Sequence, residues 1–425
     1  MHDIDEPREI FLRADDAFVS DALETIGLKF VGTEDELESA PVFAPEFAHQ
    51  HFESEKIVGY KNLKVSVLYS DPTLFLTSSY EYEQKEDDST KCDDIEYRIK
   101  DALPQTQLNA YLTIEKFRQK LSEQKNFVPF GELITKFCLK GSEIEHNFVL
   151  YKFEKDQQND AQFDQGCKFL ERVQALAHWY IDAVSYTDND DHRYFNYFLF
   201  AVRPSSDGDG SSVHRFAGYV NLYRFYHHPD KERVRIAQIL VPPTYRRIGL
   251  GPRLLRAVYD DLCRAERVFD ITAESPSDAF LFMRDYVDCA NCAKLPDFAP
   301  EKLRKGFSDE MYETARKTFK LSKAQCRHVY EILRLFHTNM NIPAERQQYK
   351  MELLKRLMKS MMSQSKDGGK LSRALQSDQQ SLCFALNSLS PEQQGQQLMA
   401  LYENTMDCYR TVLARLARYE KDFIR

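Results

Sequence analysis

The hydrophobic pattern of the first hundred residues combines strand-like and helix-like stretches. Residues 62–71 (NLKVSVLYSD) alternate apolar and polar side chains, which is typical of a half-buried strand. A short helical pattern covers residues 16–26. Pro104 interrupts an amphipathic pattern, and polar residues follow it. We therefore predict an N-terminal α/β domain over residues 1–105.

From residue 106 to residue 287 the pattern predicts helices first and a group of strands afterwards. Residues 168–184 space their apolar side chains as an amphipathic helix does. Residues 194–202 and 216–225 are rich in aromatic side chains and predict two strands. Two Asp-Gly pairs between them favour a hairpin or a longer loop that joins neighbouring antiparallel strands. We predict that residues 106–287 form a second domain.

Residues 288–425 are predicted to form a helical region. Its clearest helix covers residues 323–335, where Ser322 is available to cap the first turn. Residues 361–381 are polar and contain glycine, so we expect a linker there, before a last helix near residues 390–421. We find no internal repeat with a period of 20–50 residues.

One strand-loop-helix passage in the second domain carries the candidate chemistry. The apolar run of residues 234–241 ends at Pro242 and Pro243, which cannot donate the hydrogen bonds of a sheet. The sequence RRIGLG follows at residues 246–251, and a helical spacing of apolar residues begins after it. Pro252 lies where a first helical turn tolerates proline. We call residues 246–252 the diphosphate loop.

The diphosphate loop has the features of an anion-binding segment. The first N–H groups of a helix lack intrahelical acceptors and lie at its positive dipole end, where a diphosphate is stabilised. Without side chains at Gly249 and Gly251, the backbone can approach phosphate oxygens closely. Arg246 and Arg247 can add charge-assisted contacts. The loop matches neither the Walker pattern GxxxxGK[ST] nor the Rossmann pattern GxGxxG.

Composition and charge exclude some classes of protein. The 425-residue chain carries a net charge of −9, which argues against direct DNA binding and suits a cationic partner. No stretch of membrane-spanning length lacks charges, and the N-terminus has no apolar secretory segment, so we expect an intracellular protein without membrane attachment. Two acidic runs can steer a Lys/Arg-rich peptide, although such runs often only solvate a loop. They comprise Asp87, Asp88, Asp93 and Asp94, and Asp188, Asp190 and Asp191.

The nine cysteines are expected to be reduced thiols, as in most intracellular proteins. Only Cys289 and Cys292 are close in sequence. A tetrahedral zinc site would need a second such pair, which the sequence lacks. We therefore predict structural thiols and no metal.

The pattern RxxGxG between an apolar strand and an amphipathic helix resembles the cofactor loop of the GNAT superfamily of N-acetyltransferases. Around this loop the likeness narrows to the catalytic subunits of type B histone acetyltransferases, and it extends over nearly the whole chain. The segments that carry it are PEFAHQHF and GYKNLKV near residues 45–65, WYIDAVSYTDNDDHRY at 179–194, GYVNLYRFYHHPDK at 218–231, FDITAESPSDAFLFMRDYV at 269–287, and KLPDF, EKLRKGF and VYEILRLF at 294–336.

This resemblance implies an α+β protein with a GNAT acetyltransferase fold, a mixed and mostly antiparallel sheet flanked by helices. An N-terminal α/β domain and a C-terminal helical region accompany that fold. The implied reaction transfers an acetyl group from acetyl-CoA to lysine side chains in the N-terminal tail of newly made histone H4. The implied partners are histone H4, together with histone H3, and a WD40-type histone chaperone. The implied locations are the nucleus and the cytoplasm.

The resemblance also assigns residues to the two substrates. The pantetheine arm of acetyl-CoA is expected at Ile239, Leu240 and Val241, through backbone groups. The diphosphate is expected at Arg246, Arg247, Ile248, Gly249, Leu250, Gly251 and Pro252. The histone tail is expected at Glu53, Ser54, Glu55, Tyr194, Tyr223, Arg224 and Phe225. For Tyr223 and Phe225, an apolar trough for lysine methylenes and ordinary strand packing stay open as alternatives, whereas Tyr219 is predicted to be a core residue.

The reaction needs a base because lysine, with a pKa of about 10.4, must lose a proton before its nitrogen attacks a thioester. By its place in the family's motif, Glu274 after the strand at residues 269–273 resembles the general base. Asp182, on the preceding helix, matches a second carboxylate. Ser275 stands where the family usually has an acidic residue, and Asp182 is shorter than the usual glutamate. Cys263 is expected in the core, since direct attack by the amine needs no nucleophilic side chain.

Two other functions stay open beside a type B histone acetyltransferase. A related acetyltransferase would keep the diphosphate loop and act on another protein or on a small amine. A histone-binding protein without catalysis would bind the same tail and show no turnover.

Overall fold

The computed structural model describes residues 16–87, 92–140, 145–154, 160–204, 212–371 and 391–420. The chain forms two compact units. The first comprises Met1–Phe225 with Arg235–Ala257, and the second comprises Tyr226–Val234 with Val258–Arg425. Neither predicted domain boundary coincides with this division, because residue 105 lies inside the first unit and residue 287 inside the second.

The N-terminal part of the first unit consists of short elements. A parallel pair, β2 with β5, and an antiparallel pair, β5 with β6, form a three-stranded sheet. The elements are β1 (Val19–Asp21), α1 (Ala22–Thr25), β2 (Ile26–Val31), α2 (Glu36–Ser39), β3 (Lys56–Val58), β4 (Tyr60–Lys61), β5 (Lys64–Ser70), β6 (Leu76–Glu81), β7 (Gln84–Lys85), α3 (Ile95–Asp101) and α4 (Ile114–Glu123).

The predicted strand at residues 62–71 is confirmed as β5, but the helical pattern at residues 16–26 is mostly wrong. Only α1 is α-helical in that stretch. Strand pairing explains the difference, because Val19–Asp21 pairs with β3 and Ile26 already pairs with Val65. Sheet hydrogen bonds therefore override the local helical spacing on both sides of one helical turn.

The larger sheet of the first unit begins with β8 (Glu132–Lys140) and β9 (Glu145–Phe153), which are followed along the chain by α5 (Asp160–Ala177). The strands β10 (Tyr194–Pro204), β11 (Ser212–His227) and β12 (Lys231–Leu240) follow, and α6 (Leu250–Arg264) begins after the diphosphate loop. Neighbours in the sheet follow the order β8, β9, β10, β11, β12, with antiparallel pairing from β8 to β11. The predicted antiparallel neighbours β10 and β11 are thus confirmed. The two Asp-Gly pairs lie outside the described residues.

The predicted helix at residues 168–184 is wrong at its C-terminal end, because α5 stops at Ala177. The chain turns there, and the N–H groups of Trp179 and Tyr180 donate to the carbonyls of Leu176 and Ala177. Trp179 is fully buried, and its indole N–H donates to the hydroxyl of Tyr69 over 2.9 Å. The helical spacing of apolar residues continues past Ala177 because turn residues such as Trp179 are buried by contacts with distant residues such as Tyr69.

The larger hydrophobic cluster of the first unit joins its N-terminal segment to the larger sheet. Phe169 of α5 packs against Phe198 and Phe200 of β10 and Phe216 of β11. The same cluster contains buried residues from Ala22 to Ala110, on the N-terminal side of the larger sheet. The segment before residue 105 therefore shares its core with the segment after it.

The second unit is mainly helical. Its strand β13 (Val268–Ala273) follows α6, and next to it the Glu232 N–H of β12 donates to the Arg267 carbonyl over 2.8 Å. Its helices are α7 (Asp278–Cys292), α8 (Pro300–Lys305), α9 (Asp309–Phe319), α10 (Lys323–Phe336), α11 (Pro343–Leu371) and α12 (Pro391–Tyr419). Among the residues that the structure describes, no helix has the length and hydrophobicity needed to span a bilayer.

The helix predictions for this unit are confirmed except at one end. Helix α10 begins after Ser322, whose hydroxyl accepts from the Gln325 N–H over 3.3 Å. The linker expected at residues 361–381 is wrong for residues 361–371, which continue α11, and the rest of that stretch lies outside the described residues. Methionine, glutamine and lysine are good helix formers, so residues 361–366 favour continuation of the helix, whereas Gly368 and Gly369 oppose it.

Buried polar contacts hold the last two helices to α10. The Glu331 carboxylate accepts from Arg356 of α11 and from the Tyr409 hydroxyl of α12, each over 2.8 Å. Cys289 and Cys292 are fully buried, and burial raises the pKa of both thiols. Within the described residues, no group of His, Cys, Asp or Glu side chains is arranged to hold a metal ion.

Candidate active site

The diphosphate loop has an alternating backbone. Arg246 has a φ of −76°, Arg247 a φ of 67° and Gly249 a φ of 84°. Turns with alternating signs of φ can direct successive N–H groups towards one side and so form a concavity suited to an anion. Helix α6 starts at Leu250, with Pro252 in its first turn as predicted. The free N–H groups of that turn adjoin the same concavity.

The space beside Gly249 of the diphosphate loop is open. A Cβ placed on Gly249 would meet no atom of the described residues within 4 Å. At Gly218 of β11, by contrast, a Cβ would lie 2.7 Å from the Leu240 carbonyl oxygen. The absence of a side chain there lets the backbone of β11 approach the end of β12. Of the residues predicted to meet the pantetheine arm, Leu240 is buried, and Ile239 and Val241 are half-buried.

Arg246 is already engaged within the first unit. Its Nε donates to the Val241 carbonyl over 2.8 Å, and its guanidinium forms an ion pair with Glu46. The guanidinium also lies over the Tyr180 ring, 5.0 Å from the centroid. Arg247 is exposed. The two arginines therefore differ, since Arg246 ties the loop to other segments and Arg247 extends into solvent.

Residues 46–55 are joined to the loop at residues 178–184. The N–H groups of Glu46 and Phe47 donate to the Trp179 carbonyl over 2.8 and 3.1 Å. The His51 ring stacks on Trp179 with 3.6 Å between centroids. The Gln50 side-chain amide donates to the Val184 carbonyl over 2.8 Å. These contacts bring part of the predicted tail site next to a predicted carboxylate.

That carboxylate, Asp182, lies in the 178–184 loop and not on a helix, which corrects the prediction. Its Oδ1 is 3.4 Å from His49 Nε2, and His49 Nδ1 is 3.7 Å from Glu55 Oε1. Glu55 also accepts from the Ala48 N–H over 2.8 Å, which fixes its carboxylate. The Asp182 side chain is 71% exposed, so a substrate group can reach it.

The two loops hold left-handed backbone conformations at residues other than glycine. Ser54 and Glu55 have φ values of 53° and 56°, and Ala183, next to Asp182, has 47°. Such conformations cost about 1–2 kcal/mol each, and they persist only where surrounding contacts enforce them. The position of Glu55 and Asp182 is therefore maintained against strain, as is common at functional sites.

The aromatic residues predicted to contact the tail form a cluster at the ends of β10 and β11. Tyr194 pairs with Tyr223, with ring centroids 4.7 Å apart, and Tyr223 lies 4.6 Å from Phe225. Phe225 is 36% exposed, and the Arg235 guanidinium lies 4.4 Å from its ring centroid. Tyr194 also lines a small surface pocket together with Phe153, Asp191 and Asn196. Strand packing and a partly open aromatic surface therefore coexist here.

Two other residues of this region have structural contacts. Arg224 forms an ion pair with Glu154 and lies 3.8 Å from the Phe195 ring centroid. Tyr219 is fully buried, as predicted, and its hydroxyl donates to Gln238 Oε1 over 2.6 Å. The tail assignment of Arg224 stays a prediction.

Glu274 and Ser275 lie in the second unit. Glu274 follows the last residue of β13 and is exposed, and Ser275 has a φ of 34°. The Ser277 hydroxyl caps α7 by accepting from the Phe280 N–H over 3.3 Å. Cys263 is half-buried, and burial raises the pKa of its thiol to about 11, so the thiol stays protonated near neutral pH, as a core residue does.

The sequence interpretation missed Glu46 and His49, which connect the predicted site residues. Both lie in PEFAHQHF, a segment without helical or strand periodicity. Their sequence signals are the family resemblance of PEFAHQHF and the concentration of histidine and glutamate between Pro45 and Glu55, and neither assigns them a partner. Their partners, Arg246 and Asp182, are more than a hundred positions away, so no local pattern indicates the contacts.

Three protein-family models match the chain. The model for the N-terminus of histone acetyltransferase HAT1 matches residues 18–182, and the acetyltransferase (GNAT) family model matches residues 169–279. The model for the C-terminal part of the histone acetyltransferase type B catalytic subunit matches residues 284–335. Together they span most of the chain.

Relatives described as histone acetyltransferase type B catalytic subunit are similar over nearly the full length. The one from Mus musculus is 32% identical over 401 residues, 92% of this chain and 93% of its own. The one from Homo sapiens is 31% identical over 405 residues, 92% of each chain. A solved aminoglycoside acetyltransferase from a soil metagenomic sample is 12% identical over 30% of this chain and 78% of its own, with a TM-score of 0.21, which is too low to support an inference.

Proposed function

Because the chain belongs to the family of histone acetyltransferase type B catalytic subunits, it is a histone acetyltransferase, and we propose that it acetylates lysines in the N-terminal tail of newly made histone H4. The GNAT domain implies acetyl-CoA as the acetyl donor. We further propose that a carboxylate acts as the general base and that the lysine amine attacks the thioester directly.

One observation carries this proposal: residues 46–55 contact both the diphosphate loop and Asp182. Glu46 pairs with Arg246 of the loop, and His49 lies beside Asp182 and Glu55. A segment that reaches both places can hold a cationic tail close to the acyl donor. The half-buried carboxylate of Glu55 and the exposed carboxylate of Asp182 suit a Lys/Arg-rich peptide better than a neutral substrate.

The residues of the diphosphate loop fit acetyl-CoA. The open space at Gly249 and the positive φ values of Arg247 and Gly249 would suit a concavity of N–H groups for the diphosphate. Arg247, which is exposed, adds a positive charge. Acetyl-CoA supplies the thioester that the amine attacks. Backbone groups of residues 239–241 would hold its pantetheine arm at the end of β12.

The chain's own task in the chemical step is to remove a proton. An exposed carboxylate such as Glu274 or Asp182 can accept the ammonium proton of the lysine, directly or through water, and release it to solvent. Our proposal gives this role first to Glu274 and makes Asp182 the second carboxylate. No covalent acyl-protein intermediate is needed, which agrees with the raised pKa of Cys263.

The test combines a product assay with one substitution. Mass spectrometry of full-length H4 after incubation with acetyl-CoA and the protein should find acetyl-lysine in the tail. Glu274→Gln should lower kcat by roughly a hundredfold or more at neutral pH and leave acetyl-CoA affinity unchanged. Glu266→Gln, which changes another exposed carboxylate of the same unit, is the matched control and should keep full activity.

The alternatives predict different results. A thiol-release assay with polyamines in place of the H4 tail should give little turnover, and preference for polyamines would favour an acetyltransferase for small amines. Full activity of Glu274→Gln, with loss of activity in Asp182→Asn, would transfer the base role to Asp182. A wild-type protein that binds the tail without any turnover would contradict the proposed reaction.

We also propose a WD40-type histone chaperone and the H3–H4 pair as partners, and residence in both nucleus and cytoplasm, without direct DNA or membrane binding. The net charge of −9 supports basic histones as partners over DNA. Affinity purification of the tagged chain from separate nuclear and cytoplasmic fractions tests these proposals. Absence of histones and of any WD40 protein from both fractions would contradict them.

A further inference from the structure

His49 lies between two carboxylates that come from different segments. Its Nε2 is 3.4 Å from Asp182 Oδ1, and its Nδ1 is 3.7 Å from Glu55 Oε1. Both nitrogens of one imidazole are therefore within ion-pair distance of an acid. No role for His49 follows from the diphosphate loop or from the aromatic cluster.

This arrangement is fixed by its surroundings. Glu55 is held by the Ala48 N–H, and its left-handed φ of 56° is maintained against strain. The 178–184 loop is held by Gln50 and by the stack of His51 on Trp179. The His49 ring itself packs edge-on against Phe47, 5.9 Å between centroids. Its side chain is 36% exposed, so solvent reaches the ring.

The protonation state of His49 changes both the hydrogen bonding and the net charge of the group formed by His49, Glu55 and Asp182. An imidazolium carries an N–H on each nitrogen and can donate to both carboxylates. A neutral imidazole has one N–H and can donate to one of them only. With ionised Glu55 and Asp182, the three side chains carry one negative charge when His49 is protonated and two when it is neutral.

The other titratable groups near His49 do not mask this change at neutral pH. His51 and His178 are buried, and burial lowers the pKa of His51 to about 3 and that of His178 to about 4. Both rings therefore stay neutral in the range where histidine ordinarily titrates. Glu55 and Asp182 are the acids that face His49, and Glu46 of the same segment is paired with Arg246.

We propose that His49 is a positioning residue that tunes the binding of the cationic tail, because its charge offsets that of the Glu55 and Asp182 carboxylates. This inference rests on the proposed function and adds a regulation of the same site. A neutral His49 leaves two acids for lysine and arginine side chains, whereas a protonated His49 competes with them. Tail affinity should therefore be higher when His49 is neutral than when His49 carries a proton.

Peptide binding without turnover tests the inference. We would measure the Kd of a fluorescent peptide with the H4 N-terminal sequence against the full chain with CoA, by anisotropy between pH 5.5 and 8.5 at constant ionic strength. Wild-type affinity should increase about fivefold across this range. His49→Gln, which is always neutral, should bind tightly at every pH, and His49→Lys, a permanent cation, weakly at every pH.

Two controls make the result specific. His228→Gln, at an exposed turn of the second unit, should keep the wild-type pH dependence. A peptide with all lysines and arginines replaced by glutamine should show no pH dependence with any variant. If both His49 variants kept the wild-type pH dependence, the inference about His49 would be wrong and the proposed H4 substrate would be unaffected. A wild-type protein that binds no H4 peptide at any pH would overturn the proposed H4 substrate as well.

Discussion

Left-handed backbone conformations occur at Arg247 and Gly249, on either side of Ile248 in the diphosphate loop. Glycine adopts such a φ without cost, whereas a residue with a Cβ pays about 1–2 kcal/mol. Arg247 holds this strained conformation, and its exposed guanidinium gives a reason for an arginine at this position. The loop therefore combines one residue that suits its conformation and one that is strained into it.

Gly249→Ala should weaken acetyl-CoA binding. A Cβ at this position meets no described atom within 4 Å, so the φ of 84° lowers only the free energy of unfolding, and the loss of affinity comes from a methyl group in the space proposed for the diphosphate. A loss of about 1–2 kcal/mol in binding free energy corresponds to a Kd for acetyl-CoA that is roughly tenfold higher. Isothermal titration calorimetry of the full chain with acetyl-CoA measures this change.

Gly306→Ala is the matched control for Gly249→Ala. Gly306 also has a positive φ, 112°, and open space around its Cβ, but it lies after α8 in the second unit. Both substitutions should lower the free energy of unfolding, and only Gly249→Ala should change acetyl-CoA affinity. Equal affinities for the two variants would show that the concavity at Gly249 does not bind the cofactor.

The sequence predicts residue types in the loop better than it predicts their contacts. The glycines follow from the need for close backbone approach to phosphate, and the structure gives Gly249 the left-handed φ that glycine favours. The partner of Arg246 was not predictable, because Glu46 is separated from it by 200 positions. Charge pairing across such a distance has no local sequence signature.

At the scale of elements, residues 46–55 act as a connector although they contain no long helix or strand. Their N–H groups, side chains and rings contact Trp179, Val184, Asp182 and Arg246. Different residues of this segment contact the diphosphate loop and the tail site. A substitution that breaks one of these contacts should therefore change acetyl-CoA affinity and tail affinity to different extents.

Glu46→Gln should strengthen acetyl-CoA binding. The carboxylate of Glu46 now neutralises Arg246 and repels a diphosphate, so its removal frees one cation and deletes one anion. Because both side chains are partly exposed, we expect a modest gain of about two- to fivefold in affinity. Titration calorimetry at low and high salt measures it, and the gain should shrink at high salt.

Glu53→Gln separates this effect from a general loss of acidity. Glu53 is an exposed acid of the same segment and a predicted tail contact. The substitution Glu53→Gln should leave acetyl-CoA affinity unchanged and weaken binding of the H4 peptide. The same increase in acetyl-CoA affinity for both variants would contradict a specific pairing of Glu46 with Arg246.

Element boundaries were predictable where local chemistry ends an element. Helix α10 begins at a serine cap, and β12 ends before two prolines, as expected. The end of α5 was not predictable, because the residues after Ala177 are buried by contacts with Tyr69 and His51. The continuation of α11 over residues 361–371 was misjudged because polar residues such as glutamine and lysine do not oppose a helix.

At the scale of the whole molecule, the compact units cut across the predicted domains. Buried residues from Ala22 to Leu240 share one cluster, and a smaller cluster joins Val31 and Ala40 to Phe117 and Leu121, so both clusters extend across Pro104. The division passes between Val234 and Arg235 inside β12 and between Ala257 and Val258 inside α6. Composition shifts such as the one at Pro104 mark changes of local pattern, whereas compact units depend on contacts between distant segments.

The stability of the protein should depend on pH through two buried histidines. Burial lowers the pKa of His51 to about 3 and that of His178 to about 4, against about 6.5 in an unfolded chain. Below pH 6.5 the unfolded state therefore binds protons that the folded state cannot, and folding loses about 1.4 kcal/mol per pH unit for each histidine. This contribution is fully present above pH 6.5 and is lost as the pH falls towards 4.

Buried carboxyl groups act in the opposite direction, so the wild-type profile alone does not isolate the histidines. Burial raises the pKa of Asp71 to about 6 and that of Asp288 to about 7. Their contribution is present at low pH and is lost as the pH rises from about 4 to these values. The informative quantity is therefore the difference in unfolding free energy between the wild type and a variant that lacks one histidine.

His51→Phe keeps a ring for the stack on Trp179 and removes the titrating group. Relative to the wild type, its free energy of unfolding should rise by about 2 kcal/mol between pH 7.5 and pH 5, because only the wild type loses the His51 contribution in that range. Urea unfolding at several pH values, followed by Trp179 fluorescence and by circular dichroism, measures the difference. His228→Gln, which changes an exposed histidine, should follow the wild-type profile. A constant difference between wild type and His51→Phe at all pH values would mean that His51 takes up a proton in the folded protein as readily as in the unfolded chain, and that burial does not hold it neutral.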